Sequence, residues 1–447
     1  MKINIITLGC SKNTVDSENL AARLKAQGHT VYFDRQRNDC DAVVVNTCGF
    51  IGDAKEESIN TVLQQVALLK QSHNHTIKQS KLIVCGCLVE RYRDELAKEI
   101  PEVDAWYGAH EWEKIAQDLN PINTIGTIDT ISPIENRPLS TPSHYAYLKI
   151  AEGCNRSCSY CAIPLIRGAH RSRPIDDIVA EAKALVAGGV KELLVISQDT
   201  TFYGLDLYHK RALGELLNRL ATESGAPWIR LHYTYPSSFP EDAIDAIARH
   251  PNICNYIDIP LQHINSRILG SMQRGIDREG TLRLLDTFRA KLPDVAIRTT
   301  LIVGYPGETE KEFEELKDFV RTARFDRMGC FAYSPEEGTP AYALGDPVPD
   351  EEKQRRVDEL MAIQEQISLE KNQARIGKTY RCIIDRTEGD FLVGRTQYDS
   401  PEVDDEVLIT TSATACPPRP GDFVDVCITD ATEHDLMGRL VTPGCLQ

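Results

Sequence analysis

The stretch Tyr147-Leu-Lys-Ile-Ala-Glu-Gly-Cys154-Asn-Arg-Ser-Cys158-Ser-Tyr160-Cys161 carries three thiols at Cys-x-x-x-Cys-x-x-Cys spacing. Its opening residues predict a strand that runs into a loop, and that loop offers Cys154, Cys158 and Cys161 within a single turn. A cubane iron–sulfur cluster takes one ligand per iron, so three cysteines leave one iron open to a substrate or cofactor. A structural zinc site would be closed by a fourth ligand, and His170 lies too far along the chain to be an obvious one. Buried structural thiols and a zinc site lacking a ligand remain the alternatives to a cluster.

Outward from the triplet, strand–helix alternation continues. Strands fit Tyr145–Ile150, Leu193–Ser197, Ile229–Tyr233, Tyr256–Ile259, Ala296–Val303 and Arg327–Tyr333. Helices between them include Asp176–Ala187, Ala212–Thr222, Glu241–Arg249, Arg278–Lys291 and Glu310–Arg321. Six βα units predict a partial (β/α)6 barrel, whose chemistry sits at the carboxyl ends of its strands. The triplet follows the first strand and falls on that face.

Before the triplet, Lys2–Leu8, Thr30–Phe33, Ala42–Val45, Leu82–Val84 and Ala105–Tyr107 read as strands, and Glu18–Ala26, Ala54–Leu69 and Glu90–Glu99 as helices. This alternation predicts a doubly wound, largely parallel sheet. Cys10, Cys48 and Cys87 follow its first, third and fourth strands. Residues just past strand carboxyl ends gather at one edge of such a sheet, which predicts a second three-cysteine site; scattered core thiols are the alternative. Cys85 is expected on the opposite face of its strand from Cys87, as a packed thiol.

A helical segment from Asp350 to about Arg375 closes the barrel region. Beyond it, Tyr380–Asp385, Phe391–Thr396, Asp405–Ile409 and Phe423–Ala431 are short strands spaced by Gly, Pro and Asp, the pattern of a small antiparallel β-barrel. The α/β multidomain organisation so predicted is 1–120, a connector at 121–143, 144–374 and 375–447.

The net charge is −16 with a sequence pI near 5.2. This balance disfavours a grip on nucleic-acid phosphates and tilts the expected partner toward something basic. From Arg375 onward, seven basic residues face thirteen acidic ones, so the small barrel is expected to steer a basic protein through complementary charge. Asp404, Asp405 and Glu406 are the expected core of that surface. No apolar run approaches the ~20 residues of a membrane span, and the amino terminus lacks the pattern of a signal peptide. Fourteen cysteines in such a chain point to a reducing compartment and metal chemistry. A cytoplasmic location is expected, with no membrane partner.

The three parts together resemble the radical S-adenosylmethionine (SAM) methylthiotransferases over essentially the whole chain, and most closely the branch acting on a ribosomal protein. The resemblance rests on the triplet with Tyr160 before its last cysteine, and on Leu8-Gly-Cys10-Ser-Lys-Asn13, Asn46-Thr-Cys48-Gly-Phe-Ile51 and Val84-Cys-Gly-Cys87-Leu88. It also rests on Ile196-Ser-Gln198-Asp-Thr200, Pro260-Leu-Gln262-His263 and Val303-Gly304-Tyr-Pro306-Gly307-Glu308-Thr309. Cys85 departs from the family pattern. The resemblance implies a flavodoxin-like first domain, a radical SAM partial barrel and a small terminal barrel called TRAM. It implies two 4Fe-4S clusters, one on Cys154, Cys158 and Cys161 and one on Cys10, Cys48 and Cys87. The first would split SAM to a radical that takes hydrogen from an aspartate β-carbon of the decoding-centre small-subunit protein. The second would present sulfur, and a second SAM would give the methyl group. An electron donor protein and a sulfur donor are implied as partners. A tRNA adenosine methylthiotransferase is the enzymatic alternative, and a zinc-binding scaffold the alternative of another class.

By the same resemblance, Gln198 and Asp199 would hold the SAM amino group, though both also suit a strand-terminal turn. Gly304 and Glu308 would approach SAM, or merely form a turn. Arg298 would take the SAM carboxylate or sit in a buried ion pair, and Tyr160 would pack by cluster and adenine or fill the core. Arg167, Arg171 and Arg173 would pair with an acidic site or cofactor, or lie in a solvated loop. His73 and His75 read as an exposed linker. Cys40, Cys254, Cys330, Cys382, Cys416, Cys427 and Cys445 have no ligand spacing.

Overall fold

The computed structural model describes residues 1–35, 39–72, 80–120, 137–410 and 418–441; His73, His75, Cys416 and Cys445 lie outside them. The first unit runs β1 (Lys2–Thr7), α1 (Ser11–Ala26), β2 (Thr30–Phe33), β3 (Ala42–Thr47), α2 (Gly52–Ser72), β4 (Lys81–Gly86), α3 (Cys87–Glu99), β5 (Ala105–Tyr107) and α4 (Trp112–Asp118). Its five strands are parallel in the order β2-β1-β3-β4-β5. In this flavodoxin-like order the crevice that takes ligands opens between β1 and β3. One face of the sheet buries Ile3, Ile5, Val44 and Ile83 against Leu20, Leu24 and Ile115. The other buries Val43, Val45, Leu82 and Val84 against Val62, Val66 and Val89. Burial on both faces explains why β3 is an unbroken apolar run before Asn46.

Two helices start earlier than the apolar periodicity predicts. α1 begins at Ser11 rather than Glu18, and α3 at Cys87 rather than Glu90. The first turns of α1 carry Asn13, Asp16, Ser17 and Glu18, all buried. They face polar groups, some of them from the next unit, so no apolar stripe marks them.

The second unit runs β6 (Tyr145–Lys149), β7 (Ala151–Glu152), α5 (Ile163–Arg167), β8 (Arg171–Ser172), α6 (Ile175–Ala187), β9 (Glu192–Ile196), α7 (Leu213–Glu223) and β10 (Trp228–Leu231). It continues through α8 (Glu241–Arg249), β11 (Tyr256–Asp258), α9 (Ser266–Ser271), α10 (Arg278–Lys291), β12 (Ala296–Val303), α11 (Glu310–Ala323), β13 (Arg327–Ala332) and α12 (Asp350–Gln373). The sheet pairs as β6-β9-β10 and β11-β12-β13, all parallel. Between β10 and β11 the Thr234 amide donates to the Asp258 carbonyl at 3.0 Å, which carries the curve across the seam. β7 and β8 form a short antiparallel ribbon at the mouth. Residues 121–136 of the expected connector lie outside the described segments. At its described end, Arg137 is buried between Glu18 at 3.5 Å and Glu181 at 3.4 Å.

The last unit comprises β14 (Thr379–Glu388), β15 (Phe391–Thr396), β16 (Glu406–Thr410), β17 (Phe423–Ala431) and β18 (Asp435–Leu440), closed in the order β14-β15-β16-β18-β17. Four pairings are antiparallel, and the β16–β18 pairing that closes the ring is parallel. β18 alternates buried Leu436 and Gly438 with exposed Met437 and Arg439, too short and too polar a run to stand out in the sequence.

Several acidic residues of this small barrel, those expected to centre its surface among them, are spent inside the molecule. Asp404 accepts from Tyr256 Oη at 2.7 Å and from Arg298 Nε at 3.2 Å. Arg327 pairs with Asp399 at 2.5 Å and Asp405 at 3.0 Å, and Glu402 takes both Tyr145 and Tyr147 hydroxyls. Arg395 answers in the other direction, reaching Glu192 of the large barrel at 2.9 Å. Among the described residues, the exposed charges from Arg375 onward are Lys378, Arg381, Arg386, Arg419 and Arg439 against Glu388, Asp390, Glu402, Asp422, Asp425, Asp430 and Glu433, of which Glu402 has its carboxylate bonded to the two tyrosines. That near balance corrects the expectation of an acidic steering surface centred on Asp404, Asp405 and Glu406. Net charge counted along a sequence does not distinguish a surface from an interface.

Removing one member of a buried ion pair strands its partner and costs about 3–5 kcal/mol, whereas an exposed pair is worth ~0–1 kcal/mol. Asp404→Ala is therefore expected to lower the denaturation midpoint strongly. Glu406→Ala, which frees only the exposed Arg386, is expected to leave it nearly unchanged. Equal midpoints in the two variants would contradict the interface described.

Candidate functional site

The first thiol site is assembled by chain turns at three strand ends. Gly9, at φ +90°, passes so close to Cys48 that an added Cβ would lie 2.7 Å from the Cys48 Cβ. Gly86, at φ +103°, would place a Cβ 2.5 Å from Asn46 Oδ1. Neither position admits a side chain, and both bring a cysteine to the crevice. Cys10 caps α1 and Cys87 opens α3, so two of the three thiols lie at helix amino termini, where the backbone dipole favours a thiolate. Cys10 is exposed; Cys48 and Cys87 are buried. Ser58 Oγ accepts from the Cys48 amide at 3.0 Å and donates to its carbonyl at 2.9 Å. Burial pushes the Cys87 thiol up to about 12, against the pull of the nearby Arg167 guanidinium. A metal bound there would have to displace the proton.

Asn13 ties the three segments together. Its side-chain amide donates to the Leu8 carbonyl at 2.8 Å and the Thr47 carbonyl at 3.2 Å. Its Oδ1 lies 3.7 Å from Cys87 Sγ.

Cys85 lies away from this group, wholly buried among Ile3, Ile5, Leu24 and Tyr107. The reason differs from the one expected. Residues two apart in a strand share a face, but the strand ends at Gly86 and Cys87 is already helical. The turn, not strand alternation, separates the two thiols.

The second thiol site hangs on the β7–β8 ribbon. The Cys154 amide donates to the Gly168 carbonyl at 3.0 Å, and the Arg156 amide to Cys154 Sγ at 3.4 Å. Cys158 Sγ meets Tyr235 Oη at 3.5 Å and Arg274 Nη1 at 3.4 Å. Tyr235 stacks between two guanidiniums, with Arg156 at 3.9 Å and Arg274 at 4.2 Å from its ring centre. Burial pushes Cys154 up to about 11 and Cys161 up to about 12. Among the described residues, no three His, Cys, Asp or Glu side chains are gathered tightly enough to clasp one metal ion. The three sulfurs of each set nevertheless feel one another electrostatically. Three thiols in each set would leave a cubane cluster one iron open, whereas a structural zinc site would call for a fourth ligand.

The remaining expected residues fall into different places. Gln198 Nε2 donates to Glu152 at 2.9 Å, which fixes the amide so that its buried Oε1 has no partner. Asp199 is engaged, pairing with Arg156 at 2.6 Å and capping Thr201. Tyr160 packs with Tyr305, Tyr333 and Met272 and meets Arg274 at 3.1 Å. Arg298 sits in the ion-pair alternative, held by Asp258 and Asp404 at 3.2 Å each; its guanidinium is already occupied. The bare side of Gly304 is filled by Lys353, where an added Cβ would lie 2.4 Å from the lysine Cγ. Glu308 bonds the Tyr305 amide at 3.1 Å and pairs with Arg356 at 3.1 Å, while burial lifts its carboxyl to about 7. Both therefore anchor the turn to α12. Their loop still reaches the thiol site, because Tyr305 Oη meets Ser159 Oγ at 2.9 Å.

Arg156, Tyr235 and Arg274 were not singled out from the sequence. Arg156 lies inside the triplet, which is a readable signal, but nothing marks Tyr235 or Arg274 until the strands close. The two thiol sites meet at α5, whose N-cap Ala162 and inner residue Ile166 pack on Cys87.

The chain matches the Radical SAM superfamily over residues 148–320, the uncharacterized protein family UPF0004 over 2–108 and the TRAM domain over 376–441. It is 54% identical to the ribosomal protein uS12 methylthiotransferase RimO of Flavobacterium psychrophilum, over 98% of this chain and 97% of that protein. It is 51% identical to the RimO of Bacteroides thetaiotaomicron, over 98% of each. Among solved structures, the radical S-adenosylmethionine methyltransferase TsrM of Kitasatospora setae superposes with a TM-score of 0.55 at 14% identity, covering 76% of each chain. That likeness is one of fold.

Replacement of Cys85 tests which of the two thiols flanking Gly86 binds iron. Cys85→Ala is expected to keep full iron content and lose about 1 kcal/mol of stability, as a small cavity would cost. Cys87→Ala is expected to lose one cluster's iron. The opposite pattern by iron assay would reassign the ligand.

Proposed function

We propose that this chain, which belongs to the RimO family of ribosomal protein uS12 methylthiotransferases, transfers a methylthio group to the β-carbon of an aspartate in that ribosomal protein. The observation that carries this reading is the pairing of two three-thiol sites across α5, each one ligand short of closure. Cys154, Cys158 and Cys161 hold one 4Fe-4S cluster, and Cys10, Cys48 and Cys87 hold the other. When bound, the barrel cluster and SAM supply the radical that removes an unactivated hydrogen, and the second cluster supplies sulfur for the new bond. The protein binds, orients and excludes water around that chemistry.

Gln198 is the residue placed to orient SAM, since its unpartnered Oε1 offers an acceptor for the SAM amino group. Tyr235, from the loop after β10, and Arg274, from the turn after α9, hold Cys158. Tyr160 walls the site on the side of the Tyr305 loop. The division into 1–120, 144–374 and 375–447 assigns sulfur presentation to the first unit, radical generation to the second and the third to substrate. An electron donor protein and a sulfur donor act from outside, in the cytoplasm. Among the described residues, no helix is long and apolar enough to cross a membrane.

The choice of a protein substrate over tRNA rests on the relatives and not on the small barrel's charge, which is nearly balanced at the surface. Mass spectrometry of uS12 incubated with enzyme, SAM, sulfide and reductant should show the methylthio adduct. Methylthiolated adenosine in tRNA, with uS12 unchanged, would favour the sister branch. Iron analysis should find about eight irons per chain on the cubane count, halved by replacing Cys154, Cys158 and Cys161 together. Full iron in that triple variant, or zinc in place of iron, would overturn the assignment.

A further inference from the structure

We propose that Arg167 is a positioning residue that the large barrel lends to the amino-terminal cluster, fixing its ligand frame and setting its reduction potential. The proposal rests on the reading of Cys10, Cys48 and Cys87 as cluster ligands. Arg167 ends α5, a few residues after Cys161, yet its side chain turns away from the barrel thiols and is 2% exposed. Its Nη1 reaches Asp16 Oδ2 at 2.6 Å, and its Nη2 donates to Asn13 Oδ1 at 2.5 Å.

Asn13 is the residue whose amide holds the strand ends before Cys10 and Cys48, and whose Oδ1 touches Cys87 Sγ. Because its Nδ2 already faces two carbonyls, its Oδ1 must face a donor, and Arg167 is that donor. One guanidinium thereby fixes the side chain that touches all three ligand segments.

The electrostatics point the same way. Arg167 and Lys149 are balanced by Asp16 and Glu152, with Lys149 at 2.5 Å from Asp16 and 2.8 Å from Glu152, so burying these charges is compensated. Within this group the guanidinium is the member that reaches Asn13 beside Cys87, and its charge also favours the thiolate of Cys48. A fixed cation beside a cluster's sulfurs favours the more negative, reduced state, which raises the potential; charge and hydrogen bonds at the sulfurs are the protein's levers on it. Without Arg167, Asp16 and Glu152 would outweigh Lys149, and the group beside the site would carry a net negative charge.

The test uses the full chain in two backgrounds. With Cys154, Cys158 and Cys161 replaced by Ala, only the amino-terminal cluster remains; with Cys10, Cys48 and Cys87 replaced, only the barrel cluster remains. Redox titration followed by electron paramagnetic resonance gives the midpoint of each. Arg167→Met is expected to move the amino-terminal cluster to a more negative potential and leave the barrel cluster where it was. Arg167→Lys, which keeps the charge but not the fork, should recover most of the shift. Should Arg167→Met fail to fold, Arg167→Gln keeps hydrogen bonding without charge and is expected to show the same displacement. An unchanged midpoint, or equal shifts in both clusters, overturns the proposal. Absence of about four irons in the first background with Arg167 intact would instead overturn the ligand reading on which it rests.

Discussion

Asp16 is a carboxylate from the first helix of one domain, buried between Lys149 and Arg167 of another. Each of these charges would be costly to bury alone, and with Glu152, which pairs with the same two cations, they are neutral together. Their pairing fixes how the two α/β units face each other. Both units place their thiols at strand carboxyl ends, as open sheets and barrels do. Only a docking that brings those two edges together makes the thiols neighbours. The salt-bridge group supplies that docking at the edge itself, so the chemistry and the domain contact share the same residues. This is why α1 spends its first two turns on polar side chains instead of on a hydrophobic stripe.

At the other end of the large barrel a second set of ion pairs does a different job. Arg230, Arg298 and Arg327 line or close the barrel interior, and their partners include Asp404, Asp399, Asp405 and the Gln397 carbonyl of the small barrel. Tyr145, Tyr147 and Tyr256 send their hydroxyls to the same loop. The small barrel is thus built into the large one. Its free outer surface carries nearly equal numbers of both charges.

Much of this was legible in the sequence where the signal was local or topological. The Cys154 triplet is a local spacing and reads directly. Cys10, Cys48 and Cys87 are far apart, yet the strand–helix alternation puts each just past a strand and so at a common edge. The six barrel strands and most of their helices followed from periodicity. What did not read was anything set by contacts between units. The starts of α1 and α3 were hidden because their buried faces are polar. Arg298 stood in the sequence as a charged strand residue, and what holds it, Asp258 of the neighbouring strand and Asp404 of a different domain, shows only in the fold. Tyr235 and Arg274 come from loops after separate strands and meet Cys158 only once the barrel closes. Cys85 was placed correctly as a packed thiol but for the wrong reason, since it is the Gly86 turn that separates it from Cys87.

The insertion of the small barrel's loop into the large barrel bears on how the chain is made. Synthesis runs from the amino terminus, and domains generally fold as they emerge. The large barrel, however, cannot complete its interior from its own residues. Arg327 and Arg298 wait for acids that are among the last tenth or so of the chain to leave the ribosome. Until then the nascent barrel carries incompletely paired buried charge, and it should stay loose and open at its base. Pairing of those arginines is therefore completed only when the small barrel's loop has docked. Chain order thus makes the later domain the one that completes the base of the domain before it.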